Sequence, residues 1–171
     1  MSAAPAEAAL LSRASGSDAA AFRGAFGRWA TGVAVATCEG PEGPAGVTVN
    51  SLSSVSLDPP MALFCLEEGA RTLPMFLAAG HFALNILAED QRAASNHFAA
   101  ETAFRPGDEA DRWLSGAPLL AGTLAVADCR LLDTHGGGDH VILLGEVLEV
   151  GWREGAAPLL YYGGGYRNLG P

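Results

Sequence analysis

The sequence contains no lysine; all ten basic residues are arginine. That absence excludes a P-loop lysine, a Schiff-base lysine and a lysine general base. Any phosphate contact must come from arginine, hydroxyls, histidine or backbone N–H groups. Positive charge is scarce too. Nineteen acidic residues bring the net charge to −9, a field that does not attract nucleic acid. Cysteine is rare. Cys38, Cys65 and Cys129 are odd in number, lack CxxC spacing and lie in apolar runs, which reads as buried free thiols in a reducing compartment. No apolar run approaches the ~18 residues of a membrane-spanning helix, and the N-terminus lacks the positive region of a signal peptide, so the expected location is cytoplasmic with no membrane partner. No Gly-x-Ser-x-Gly elbow is present and no cysteine has an electropositive setting, which leaves a simple hydrolase without a nucleophile.

What is present suits one domain. The chain has 171 residues, 49% of them hydrophobic, enough for a sizeable core. Residues 1–17 read as a flexible tail and 18–171 as the folded domain. Asp18 is a plausible N-cap for a helix through Ala30, ended by Gly32. Phe22, Phe26 and Trp29 make one apolar stripe on it, expected to pack on the core. Strand-like runs follow at Val33–Cys38, Met61–Leu66, His81–Leu87, Leu119–Leu132, His140–Val150 and Leu159–Tyr162. Short helices are expected from Thr72 towards Ala79 and over Glu89–Ala100, and an irregular loop over 101–117. The strands are mostly joined by turns rather than by helices. This predicts a mainly β, antiparallel barrel or sandwich with a few accessory helices.

The most informative stretch runs from Gly46 to the Pro59-Pro60 pair, which is expected to end the ladder there. From Thr48 to Ser56, Thr48, Asn50, Ser51, Ser53, Ser54 and Ser56 place six small polar side chains in nine positions, between Val47, Val49, Leu52, Val55 and Leu57. On composition alone such a row is the solvated face of a strand. It also suits many weak hydrogen bonds to a flat heteroaromatic ligand or to phosphate oxygens. Arg71-Thr72, at a helix start, fits either anion capture or an ordinary cap beside a solvated arginine. Asp133-Thr-His135-Gly-Gly-Gly-Asp139-His140 invites a metal reading, but a glycine-rich turn does not fix ligand geometry. A turn presenting one functional histidine is preferred, with no metal, and His81 and His97 read as structural. Gly163-Gly164-Gly165-Tyr166-Arg167 is not a dinucleotide fingerprint, because it opens no helix.

The order of motifs carries more than any one of them. Phe22-Arg23, Thr31-Gly32-Val33, Thr48-Val49-Asn50-Ser51 and Ser54-Val55-Ser56-Leu57-Asp58-Pro59-Pro60 come first. Phe82-Ala83-Leu84-Asn85-Ile86-Leu87, Gln91, Phe98-Ala99 and Gly116-Ala117-Pro118-Leu119-Leu120 follow. Cys129, Gly138-Asp139-His140 and Pro158-Leu159-Leu160-Tyr161-Tyr162 complete the series. Over about residues 20–170 the chain resembles the short-chain flavin reductases, the NAD(P)H:flavin oxidoreductase components of two-component monooxygenases. The resemblance implies a Greek-key split β-barrel, a homodimer, and FMN or FAD near the dimer interface. NADH, or NADPH, would deliver hydride to the flavin, and reduced flavin would pass to a flavin-dependent monooxygenase. It places Thr48, Val49, Asn50 and Ser51 along the flavin ring, and Ser54, Val55 and Ser56 towards the ribityl–phosphate part. It also assigns Arg71 and Thr72 to the phosphate, His140 to the nicotinamide and, more weakly, Tyr166 and Arg167 to the same end. A carrier that keeps its flavin and passes electrons elsewhere, or a non-catalytic flavin- or haem-binding barrel, are the other readings that such a chain allows.

Overall fold

The computed structural model describes residues 11–170. Residues 1–10 of the expected tail lie outside the described residues; Leu11 to Ser17 are exposed. Asp18 caps α1 (Ala19–Phe26) as expected, its carboxylate accepting from the N–H groups of Ala20 and Ala21. The helix is shorter than the sequence suggests. It stops at Phe26 with Gly27 as C-cap, because the Gly27 carbonyl accepts from Gly163 and turns the chain towards the C-terminal hairpin. Thr31–Gly32 then forms β1 rather than the helix end. Its partner is β11 (Leu160–Tyr162), which also pairs with β12 (Gly165–Arg167), an extra strand that the glycine-rich segment concealed.

The main sheet is antiparallel and seven-stranded. It contains β2 (Ala34–Gly40), β3 (Gly43–Val49), β4 (Ser53–Leu57), β5 (Pro60–Glu67), β6 (His81–Ile86), β9 (Ala125–Gly137) and β10 (His140–Trp152), in the order β3-β2-β6-β9-β10-β5-β4. Its two edges, β3 and β4, are joined by only Asn50, Ser51 and Leu52. A flat sheet of this size would set its edges ~29 Å apart, at ~4.8 Å per strand. The connection reaches ~14 Å when fully extended. The sheet therefore has to roll. No ladder joins the two edges; instead the Ser51 hydroxyl accepts from Cys65 N at 2.9 Å and lies 3.3 Å from Cys65 O on β5. This is a split barrel, seamed by one side chain at the point where the polar stretch crosses it.

Phe64, Phe76 and Phe82 meet edge to face inside the roll with Leu84 and Leu143. A second cluster, Val33, Val35, Leu87, Phe98, Leu120 and Leu159, fixes α3 (Arg92–Ala100) against the sheet. α2 (Leu73–Ala79) ends at Gly80, whose φ of 69° is the left-handed conformation a C-cap glycine supplies. The 101–117 stretch is more regular than expected. β7 (Glu109–Arg112) pairs with β8 (Pro118–Leu120), and Arg112 binds both Glu109 and Glu39, which staples the segment to β2. β4 ends at Leu57, just before the proline pair as expected, and Pro60 opens β5 opposite it, a first-strand position where no N–H is needed.

One expectation fails outright. The α1 stripe does not enter the core: Phe22, Phe26 and Trp29 are 50%, 64% and 74% exposed, and the two phenylalanines stack only on each other. A helix that meets the barrel only at its end has no core to bury them in. All three cysteines are free, and burial pushes the Cys38 and Cys129 thiols up to about 12. No helix among the described residues is long and apolar enough to cross a membrane.

Candidate functional site

Two adjoining hollows open at the seam and share Val33, Val49 and Asn50. The larger, about 300 Å³, is walled by Trp29 to Ala34, Leu52 and Ile86. The smaller, about 260 Å³, is walled by Thr48, Ser95, Ala99, Tyr161 and Tyr166. Val49 is buried and supplies an apolar floor, while the Asn50 side chain is exposed and makes no hydrogen bond within the described chain. The peptide N–H groups of Asn50, Ser51 and Leu52 have no backbone partner among the described residues, because the chain is crossing between two sheet edges. Three successive free peptide units beside an apolar floor would be costly unless water or a ligand meets them. Thr31 adds a buried hydroxyl without a partner at the same place.

The wall on the α3 side is a hydrogen-bonded frame. Thr48 donates to the carbonyl of Ser95 at 2.7 Å, so its hydroxyl ties β3 to α3. The Ser95 hydroxyl lies 2.8 Å from the Tyr166 phenol, which donates to Asn96 at 2.9 Å. Tyr161 meets the Tyr166 ring edge-on at 5.5 Å. β3 can lie this close to α3 only because Gly46 has no side chain: a Cβ there would sit 2.7 Å from the Phe98 ring.

The other residues singled out in the sequence are dispersed. Ser51 is spent on the seam. Ser54, Val55 and Ser56 lie on β4, at the exposed sheet edge. Arg71 reaches across to the Ala100 carbonyl at the end of α3. Thr72, next in sequence to Arg71, stands at the N-cap of α2 yet does not cap it; its hydroxyl is buried and has no partner among the described residues. His140 lines neither hollow. It opens β10 opposite Glu67, two residues beyond the Cys65 that holds Ser51. Its ring is 2.7 Å from Asp139, and that contact holds the exposed Asp139 carboxyl below the usual range. Gly136 and Gly137 are laddered in β9, so the turn before His140 is only Gly138-Asp139. Arg167 sits on β12 and bonds the Tyr166 carbonyl.

Residues 26–170 match the model of the flavin reductase like domain. The chain belongs to the flavin reductase family. It is 42% identical over 153 residues to the FMN reductase (NADH) SmoA of Agrobacterium fabrum, covering 88% of this chain and 86% of that one. It is 38% identical over 149 residues to the reductase component of 4-hydroxyphenylacetate 3-monooxygenase from Thermus thermophilus, covering 87% and 95%. Among solved structures, the Streptomyces globisporus NADH:FAD oxidoreductase in complex with NAD and FAD fragments superposes with a TM-score of 0.88 at 36% identity, covering 94% of this chain and 98% of that one. For this flavin reductase homologue, the sequence reading of fold and family holds. It missed Trp29, Thr31, Leu52, Ser95 and Tyr161 as cavity residues. Thr31 was within a quoted motif, but only its stranded hydroxyl marks it out.

Proposed function

We propose that the protein is an NAD(P)H:flavin oxidoreductase that reduces FMN or FAD and supplies the reduced flavin to a partner monooxygenase. The observation that carries this is the run of free peptide N–H groups from Asn50 to Leu52, whose two end residues line an apolar hollow together with the unengaged Asn50 amide. Such a site suits a flat ring with one polar edge. The stranded Thr72 hydroxyl beside Arg71 suits the phosphate. A flavin bound here supplies the two-electron acceptor for hydride from a reduced nicotinamide.

The residues of the chain then have separable tasks. The peptide N–H groups and the Asn50 amide would offer donors to the negative charge that a bound flavin gathers on reduction; preorganised donors of this kind are worth ~2.7–4 kcal/mol each. Val33 and Val49 keep water from one face. Tyr166, fixed at its hydroxyl, holds the far wall rigid, which keeps the reacting groups aligned. Most of these contacts are uncharged, which suits a flavin that must leave after reduction.

His140 and Arg167 serve the nicotinamide nucleotide. Hydride transfer removes no proton, so His140 binds rather than acts as a base. His140→Ala is expected to raise the NADH KM more than it lowers kcat. Loss of kcat at an unchanged KM would sink this role. The overall reading is tested by mixing the purified protein with NADH and FMN or FAD. NADH consumption over many turnovers, proportional to protein and dependent on added flavin, is expected. Bleaching of a retained flavin once per chain, or no NADH oxidation, would overturn it.

The working unit is a homodimer. Phe22, Phe26 and Trp29 form an exposed apolar stripe that continues into the larger hollow at Trp29. Edge strand β4 exposes Val55 and 95% of Leu57. A partner covering both would bring Ser54 and Ser56 next to a site. Light scattering should give twice the 17.5 kDa chain mass, and a monomer mass at micromolar concentration would refute the dimer.

A further inference from the structure

Arg92 opens α3, and its guanidinium carbon lies 5.0 Å from the centre of the Tyr166 ring. Tyr166 is itself clamped by Ser95, Asn96 and Tyr161, so the stack has a rigid base. Positions 92, 95, 96 and 99 share one face of the helix. Ser95 and Ala99 of that face line the smaller hollow with Tyr166. The stack thus sets a guanidinium on a ring that walls the hollow, though Arg92 itself is not among the lining residues. Arg92 joins none of the ion pairs or hydrogen bonds formed by the described residues, whereas Arg105, Arg112 and Arg130 all pair with carboxylates. In a chain of net charge −9, a preorganised arginine with its donors free, beside a cavity, is a receptor for an anion.

The helix also says which anion. Arg71 is tied to the Ala100 carbonyl at the C-terminal end of α3, and Arg92 stands at the N-terminal end. The two are separated along the axis by the length of a nine-residue helix, ~12 Å at 1.5 Å per residue. That spacing favours two anionic groups over one shared flavin phosphate. With Arg71 and Thr72 taking that phosphate, we propose that Arg92, clamped on Tyr166, binds the pyrophosphate of the nicotinamide dinucleotide. This rests on the reductase reading above.

The test compares two hydride donors, NADH and reduced nicotinamide riboside, which carries the same ring and no phosphate. In Arg92→Gln the KM for NADH should rise about tenfold, the effect of losing one charge-assisted hydrogen bond. The KM for the riboside should stay within twofold of wild type. Arg92→Lys, which keeps the charge but not the planar fork, should fall between. Calorimetric titration with ADP-ribose should show the same loss without any turnover. Equal rises for both donors would reduce Arg92 to a prop for Tyr166 and overturn the proposal, as would an unchanged NADH KM. A selective change for FMN over riboflavin would assign Arg92 to the flavin phosphate and overturn it too. A wild-type protein that oxidises no NADH would sink the reductase reading, and the ADP-ribose titration would still decide the role of Arg92.

Discussion

Asn85→Leu is expected to remove roughly 3–5 kcal/mol of stability, the sum of several stranded polar groups at ~1–3 kcal/mol each. Asn85 is fully buried on β6. It donates to the Val35 carbonyl at 3.1 Å and to the Thr37 hydroxyl at 3.0 Å, and it accepts from Leu120 N at 2.9 Å. Thr37 in turn donates to the Pro118 carbonyl at 2.6 Å. One amide thus joins β2, β6 and β8. Leucine fills nearly the same space, so the loss is of partners rather than of volume. Against a typical total of ~5–15 kcal/mol, this is a large share. The damage should also reach the site. Gln91 bonds the Ala121 carbonyl just past β8 and the Ala88 N–H, and it precedes Arg92. Urea denaturation should show the midpoint fall with the slope preserved, and the NADH KM should rise before the protein unfolds. A cost below about 1 kcal/mol would mean that water replaces the amide.

Ser51→Ala is expected to weaken flavin binding about tenfold and to cost about 2 kcal/mol of stability, since the hydroxyl holds both the N–H and the carbonyl of Cys65. The resemblance to flavin reductases assigns Ser51 to the ring. The structure gives its side chain a different task, closing the seam, and leaves its peptide N–H for a ligand. The two roles separate experimentally. If the side chain only closes the barrel, FMN, FAD and riboflavin lose affinity alike, stability and affinity fall together, and Ser51→Thr, which keeps the hydroxyl, restores both. Weaker flavin binding at full stability would return the hydroxyl to the flavin. Fluorescence quenching of the flavin and a denaturation curve on the same variants read both quantities.

How far the sequence could be read follows from where each signal resides. The antiparallel sheet was legible in β-branched runs separated by turns, and α2 was legible from Gly80. Asp18 as a cap was legible too, because capping is a local event. The fate of Phe22, Phe26 and Trp29 was not, since an amphipathic stripe says that a face will be covered but not by which surface. β7 and β12 were hidden because their partners, β8 and β11, make the strands, and their own residues are polar or glycine-rich. The stretch from Thr48 to Ser56 looked like one polar row. It is two strands from opposite edges with a crossing between them, and Thr48 and Ser51 use their hydroxyls on Ser95 and Cys65. Side-chain chemistry pointed to the right place. The groups left open for a ligand there are mostly backbone, and those carry no sequence signal.

The seam has a thermodynamic consequence. A ligand lying along Asn50 to Leu52 touches both edges of one rolled sheet, so it spans the single place where the barrel lacks a ladder. Anything bound there is coupled to the closure of the whole sheet, and by mass action it adds ~2.7 kcal/mol of stability at a hundredfold excess over its dissociation constant. A reductase that releases a flavin bound there each cycle would therefore alternate between a fastened barrel and a looser one. A ring bound there would take the missing rung with it on leaving.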